Sequence, residues 1–162
     1  MTKRRDLIEA LSKNARLSSE DLARLTGLDE DRVESLIDEM EDEGIIRGYQ
    51  AIVDWEEIEG EYVRAMIELN VTLDRETSYD DVARRISKFS KVHSLKLVSG
   101  NYDFALEVEA ESMAEISNFV SEKIAPVPEV TQTVTHLIMR TYKEGGTELT
   151  DSHDDDRLSV SP

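Results

Sequence analysis

The spacing of apolar residues changes once along the chain, and that change dictates two dissimilar units. In the first third, apolar residues recur at helical intervals. Val33, Leu36, Ile37 and Met40 fall at i, i+3, i+4 and i+7, the stripe of a helix with one buried face. From residue 63 an interval of two takes over. In EYVRAMIELNVTL, Val63, Ala65, Ile67, Leu69 and Val71 share one side, as in a half-buried strand. A chain of 162 residues has room for two small domains of this kind.

The helical third reads as three short helices. RDLIEALSKN places Leu7, Ile8 and Leu11 on one face. In LSSEDLARLTG, Ser18 is a candidate N-cap with Asp21 three residues on, Leu17 and Leu22 form a staple, and Gly27 ends the helix. Leu28 and Val33 form a second staple across Asp29, the next N-cap, and Gly44 closes the third helix. Two helices joined by a short Gly-containing turn make a helix-turn-helix. GIIRGYQAIVDW then predicts a strand pair or wing. The plain alternative is a generic three-helix bundle.

After a linker over 54–60, the remaining pattern is strand, helix, strand, strand, helix, strand. SYDDVARRISKF carries Tyr79, Val82, Ala83, Ile86 and Phe89 at helical spacing. VHSLKLVSG and NYDFALEVE read as strands. SMAEISNFVSEKI reads as a helix and VTQTVTHLIMRTYK as a last strand. The expected fold class is α+β: an N-terminal winged helix-turn-helix over 1–53 and a C-terminal ferredoxin-like βαββαβ domain over 61–143. Helices cover only one face of such a sheet, so the other needs a partner. Leu137 and Met139 are assigned to that face, opposite Val134 and Ile138, and a homodimer interface is expected there. Residues 144–162, EGGTELTDSHDDDRLSVSP, are expected to be an acidic, disordered tail. Its HDDD run reads as solvated rather than as a cation site.

Composition narrows the function. No apolar run approaches membrane length, so no membrane partner is expected. MTKRRDLIEA is basic but leads into no apolar core of a secretory signal. There is no cysteine, hence no disulfide framework. A cytoplasmic location is the default. His93 and His136 fall in predicted strands, where His136 shares a side with Val134 and Ile138 and reads as a packed core or interface residue. His153 lies in the tail. No spacing suggests a metal site, no nucleophile–base pair or phosphate loop appears, and no catalytic residue or cofactor is expected. The net charge of −17 opposes nonspecific attraction to nucleic acid.

The order of units, with MEDEGIIRGYQAIVDW leaving the third helix, SGNYDFALEV before a strand and PVPEVTQTVTHLIM at the end, resembles the leucine-responsive/asparagine-operon (Lrp/AsnC, feast/famine) family over roughly residues 3–143. The resemblance implies a transcriptional regulator. Its first domain would bind double-stranded promoter DNA. Its second would form a homodimer and, as in many members, an octamer. An amino-acid-like effector would bind between dimers. Ser99, Gly100, Asn101, Tyr102 and Asp103 match the family's effector loop, and Thr133 and Thr135 resemble the residues that complete the pocket. Asp103 would hold an α-ammonium and backbone N–H groups a carboxylate. A bare β-hairpin turn, with Asn and Gly supplying positive φ, accounts for the same loop residues. Sirohaem decarboxylases share the resemblance, but HSLKLVSGNYDFAL lacks their aromatic and histidine-rich loop, so no enzyme is expected.

One segment departs from the family. Residues 29–43 hold nine acidic residues and one basic, a net charge of −8, on the helix that should read DNA. The positions of Ser35, Leu36, Asp38 and Glu39, often basic in the family, are not basic here. With Val33 as the buried centre, Asp31, Ser35, Asp38 and Asp42 point outward, flanked by Arg32 and Glu39. Three considerations keep DNA binding open. The distal acids lie in the last turn, whereas such helices present their N-terminal half to bases. Lys3, Arg4, Arg5, Arg16, Arg24 and Arg47 remain for phosphates, with Arg32 and Ser35 for bases. Weak heads also gain from assembly. The rival expectation is an oligomeric small-molecule sensor that has lost DNA binding and acts through protein partners.

Overall fold

The computed structural model describes residues 2–58, 60 and 62–149. They form two compact units: one runs to Val53 and resumes at Lys143, the other spans Asp54–Tyr142.

The first unit holds α1 (Thr2–Lys13), α2 (Ser19–Thr26) and α3 (Glu30–Asp42). Leu7, Leu22, Val33, Leu36 and Met40 form its core. Ile8, expected beside Leu7, is exposed instead, because one residue turns the side chain about 100° around the helix. The caps form where the sequence puts them. Ser18 Oγ accepts from the Asp21 N–H at 3.1 Å and the Asp29 carboxylate from the Arg32 N–H at 2.9 Å. At Gly44 φ is +67°, and the Ile45 and Ile46 N–H groups fold back to the Met40 carbonyl at 2.8 and 3.0 Å. A Cβ there would also lie 3.0 Å from the mobile end of Arg47, which can yield, so it is the positive φ that favours glycine.

Two expectations are corrected in this unit. Residues 45–53 form no strand pair among the described residues. Their apolar alternation finds no ladder partner, and Ile45 and Ile52 stay exposed. The ribbon of this unit is instead made by β5 (Lys143–Glu144) and β6 (Thr147–Glu148), paired antiparallel across Gly145 and Gly146. It sits against Ile52, whose Cδ1 is 2.9 Å from where a Gly145 Cβ would stand. Residues 144–149, expected in a disordered tail, are therefore ordered; the rest of that tail, with His153 and HDDD, lies outside the described residues.

The second unit opens with a single 3-10 turn, Trp55–Glu57, whose indole stacks on Tyr62 at 4.3 Å between ring centroids. Then follow β1 (Val63–Val71), α4 (Tyr79–Ile86), β2 (Val92–Leu97), β3 (Phe104–Ala110), α5 (Met113–Phe119) and β4 (Val130–Leu137). This is the expected βαββαβ order, with the sheet ordered β2-β3-β1-β4 and its neighbours antiparallel. Beyond α5 the helix widens into a π turn, Val120–Ile124. Ala65, Ile67 and Leu69 meet Val108, Leu106 and Phe104 across β1 and β3, and Val82, Ile86, Ile116 and Phe119 close over them. Each of these side chains larger than Ala65 contributes roughly 1.5–3 kcal/mol by leaving water.

Register decides which face each β4 residue occupies. Thr133, Thr135 and Leu137 oppose Leu69, Ile67 and Ala65, so they lie on the helix-covered side. Val134 and His136 oppose Glu68 and Met66, on the open side. Leu137 is thus moved off the face assigned to it, and Met139, 90% exposed, lies beyond the end of β4. His136 is not a core residue: it is exposed on the open face, with Nε2 3.1 Å from Glu68.

Candidate nucleic-acid interface and effector loop

Burial of Val33, Leu36 and Met40 fixes the rotation of α3. Asp31, Arg32, Ser35, Asp38 and Asp42 are left exposed on the outward side, as the helical wheel requires.

Most cations of this unit are already engaged by its own groups. Arg4 meets Glu43 at 2.7 Å, Arg5 meets Glu9 at 2.8 Å, and Arg24 lies 3.5 Å from Glu20 and 3.3 Å from Asp21. The Glu9 hydrogen bond and charge raise the Arg5 pKa. Lys3 donates its Nζ to the Thr26 carbonyl, at the negative end of α2. The Arg47 Nε donates to the Gly44 carbonyl at 2.7 Å. Lys13 and Arg16 make no ion pair among the described residues. Exposed pairs are worth about 0–1 kcal/mol each, so phosphates can exchange for these carboxylates at small cost.

Arg32 and Ser35, the expected base readers, are brought together. The Arg32 Nη1 donates to Ser35 Oγ at 3.3 Å and to Glu39 Oε1 at 3.0 Å, and Ser35 Oγ donates to the same Oε1 at 3.2 Å. Glu39 was not among the expected site residues, although its i+7 spacing from Arg32 places both on one flank. Nearby, Tyr49 donates its hydroxyl to Glu41 at 2.7 Å, and that bond, with desolvation, pushes the phenol pKa up to about 12.

In the second unit, Ser99, Gly100, Asn101 and Tyr102 connect β2 to β3, with Asp103 at the foot of β3. Gly100 has φ +143°, a conformation that side chains rarely adopt. The loop is tied to the end of β1. The Asp103 N–H donates to the Leu69 carbonyl at 2.8 Å, and the Val71 N–H donates to Asp103 Oδ2 at 2.8 Å. Tyr79, at the start of α4, donates its hydroxyl to Asp103 Oδ1 at 3.2 Å, which raises the phenol pKa. Asn70 Nδ2 donates to the Asn101 carbonyl at 3.0 Å, and Thr131 Oγ1 to the Asn70 carbonyl at 3.1 Å. Asp103 therefore anchors the loop through both carboxylate oxygens. The N–H groups of Ser99, Gly100, Asn101 and Tyr102 make no hydrogen bond among the described residues.

Thr133 opposes Leu69, whose other neighbour is Phe104, so the loop and Thr133 flank the same end of β1. Thr135 is two residues further along the β4 edge. Asn70, Tyr79 and Thr131, which complete this arrangement, were not legible as site residues: their partners are 31, 24 and 61 positions away in sequence. Among the described residues, no group of three or more histidine or acidic side chains is arranged to hold a metal ion. No helix among them is long and apolar enough to cross a membrane.

Comparison with known proteins finds a family match in each half of the chain, the second of which runs on through the ribbon at Lys143–Glu148. A family model described as the Lrp/AsnC ligand binding domain matches residues 64–148, and one for winged helix-turn-helix DNA-binding matches residues 2–47. The chain is 37% identical over 161 residues to the uncharacterized HTH-type transcriptional regulator YugG of Bacillus subtilis, covering 99% of this chain and 97% of that one. The leucine response regulatory protein LrpA of Mycobacterium tuberculosis superposes with a TM-score of 0.73 at 22% identity, over 91% of this chain and 98% of its own. A transcriptional regulator of Neisseria meningitidis, solved in complex with L-Met, superposes with a TM-score of 0.68 at 22% identity, over 94% and 97%.

Proposed function

Because the chain belongs to the Lrp/AsnC family and is a DNA-binding transcriptional regulator, we propose that it holds promoter DNA through individually weak heads gathered by self-association, and that an amino-acid-like effector biases that assembly. The observation that carries the first half is the packing of α3. Its apolar stripe is buried while Arg32 and Ser35 stand on the outward side. Lys3, Arg4, Arg5, Arg16, Arg24 and Arg47 then position phosphates, most of them by giving up a carboxylate or carbonyl partner. The winged helix-turn-helix match over residues 2–47 disfavours the rival, a sensor without DNA binding.

Self-association through the open sheet face fits its residues. Met66, Val134 and Ile138 give it an apolar strip, rimmed by His136–Glu68 and by Arg64 with Glu107 and Glu109. This proposal covers a dimer and a higher assembly such as an octamer.

The effector site is the loop Ser99–Asp103 with Thr133 and Thr135. The N–H groups of Ser99, Gly100, Asn101 and Tyr102, without a hydrogen bond among the described residues, suit a carboxylate, and each Asp103 oxygen retains a lone pair for an ammonium. The Neisseria meningitidis regulator solved with L-Met supports an amino acid as the class.

The deciding experiment is fluorescence-anisotropy titration of the full chain with its own upstream DNA and with random DNA of equal length, at ~50 and ~200 mM salt. Preferential binding to the upstream DNA, weakening with salt, is expected. Absence of binding to either duplex by the folded oligomer would overturn the proposal and restore the sensor.

A further inference from the structure

The acidic side of α3 has a use that its charge alone conceals. Arg32, Ser35 and Glu39 form one hydrogen-bonded cluster in which Arg32 Nη1 and Ser35 Oγ both donate to Glu39 Oε1, at 3.0 and 3.2 Å. Their bonding leaves specific atoms open. Arg32 keeps Nη2 and Nε as donors, and Glu39 keeps Oε2 as an acceptor; neither set has a partner among the described residues. Both side chains are about half exposed, so the pair is within reach of solvent and of a ligand.

A guanidinium only donates and a carboxylate only accepts. A fixed pair of them therefore presents two donors next to one acceptor. In the major groove a G·C pair presents N7 and O6 as acceptors and then cytosine N4 as a donor. An A·T pair presents acceptor, donor, acceptor and methyl in that order. Only the first sequence is complementary to the cluster, and thymine O4 would face the carboxylate as a repelling acceptor.

We propose that Glu39 is a specificity-determining residue: it fixes the guanidinium of Arg32 on a guanine and itself accepts from N4 of the paired cytosine. This rests on the DNA-binding function proposed above and names how its reading helix selects a base pair. The carboxylate that lowers general affinity for DNA thereby raises discrimination, because a wrong pair leaves an acceptor facing an acceptor.

The test begins by selecting bound duplexes from a random-sequence library with the full chain and sequencing them. An enriched half-site should contain a G·C pair whose replacement by A·T weakens binding about tenfold or more. N4-methylation of that cytosine, which blocks the groove-facing hydrogen but keeps the base pair, should weaken wild-type binding by a similar factor. Glu39→Ala should bind methylated and unmethylated duplexes equally. Glu39 is half-exposed and no part of the core, so this variant should fold, which thermal denaturation checks. Equal sensitivity to the methyl group in both proteins would overturn the assignment, as would an enriched half-site with no such pair. Enrichment of no sequence at all by the wild type would instead overturn DNA reading itself, and this inference with it.

Discussion

Helices α3 and α4 are both amphipathic, both capped and both acidic at the start, yet they treat their far ends in opposite ways. Around α4, Ser78 Oγ accepts from the Asp81 N–H at 3.2 Å while the Asp81 carboxylate accepts from the Ser78 N–H at 3.0 Å. Arg84 and Arg85 occupy its last turn, where the dipole favours cations, and Arg85 grips Glu129 at 2.8 Å. Every charge on α4 serves the helix. On α3, Asp29, Glu30 and Asp31 suit the positive end, but no base stands in the last turn, and Asp42 is followed by Glu43. Like-charge pairs at i, i+4, such as Asp38 and Asp42, cost about 0.2–0.5 kcal/mol each. The α4 charges complement their own helix, and those at the far end of α3 oppose theirs.

That contrast breaks most easily at Arg32. Arg32→Glu should reduce specific DNA binding about 100-fold or more without lowering the melting temperature, since a lost guanine contact alone is worth about 1–3 kcal/mol. Footprinting on the promoter and a thermal melt read the two arms; a normal footprint would show that α3 does not read bases through this residue. On α4 the expected pattern is reversed. Ser78→Ala should cost about 1 kcal/mol of stability and leave DNA affinity per head unchanged. The Ser78 bonds hold the Asp81 carboxyl below the usual carboxylate range, so their contribution is present above the unfolded pKa and is lost as pH falls through the folded one. The variant's acid-unfolding midpoint should accordingly rise, as circular dichroism would show.

Asp42→Lys sharpens the comparison by giving α3 the far end that α4 has. Stability should increase by about 0.5–1 kcal/mol, from the removed repulsion and the corrected dipole. Random DNA should bind more tightly and with a steeper salt dependence; unchanged salt dependence would place the last turn away from the duplex. The smallest effect concerns Tyr49. Its hydrogen bond to Glu41 raises the phenol pKa to about 12, so that bond contributes fully below the ordinary tyrosine pKa and is lost as pH rises through about 12. Absorbance titration of Glu41→Gln against the wild type should show one tyrosine ionising at lower pH.

What the sequence discloses is local, and what it hides is pairing at a distance. The caps at Ser18 and Asp29, the stripe Val33, Leu36 and Met40, and the βαββαβ order follow from spacing and short-range hydrogen bonds, and the structure has them all. Alternation showed that Thr133 and Thr135 share a side. Only the register against Leu69 and Ile67 shows that it is the helix-covered side, and the same register moves Leu137 off the open face. Ile45, Ile46, Ile52 and Val53 look like a strand because β propensity depends on the neighbour a strand meets. The hairpin at Lys143–Glu148 is short and polar, so no apolar pattern announces it. In the candidate sites, Arg32 and Ser35 were legible from the helical wheel. The engagement of Arg4 by Glu43 and of Asp103 by Val71 and Tyr79 joins residues 39, 32 and 24 positions apart, which no local pattern encodes.

The hairpin also gives the polypeptide the topology of an insertion. Both ends of the described chain belong to one unit, and Asp54–Tyr142 is a guest spliced into it, attached by two connections rather than one. A single cut after Val53 parts the three helices from the sheet and leaves the ribbon on the sheet's fragment, whereas a single cut before Lys143 leaves the helices joined to the sheet and releases the ribbon. Freeing helices and ribbon together takes both cuts, and a head expressed as residues 1–53 alone would lack the ribbon that touches Ile52.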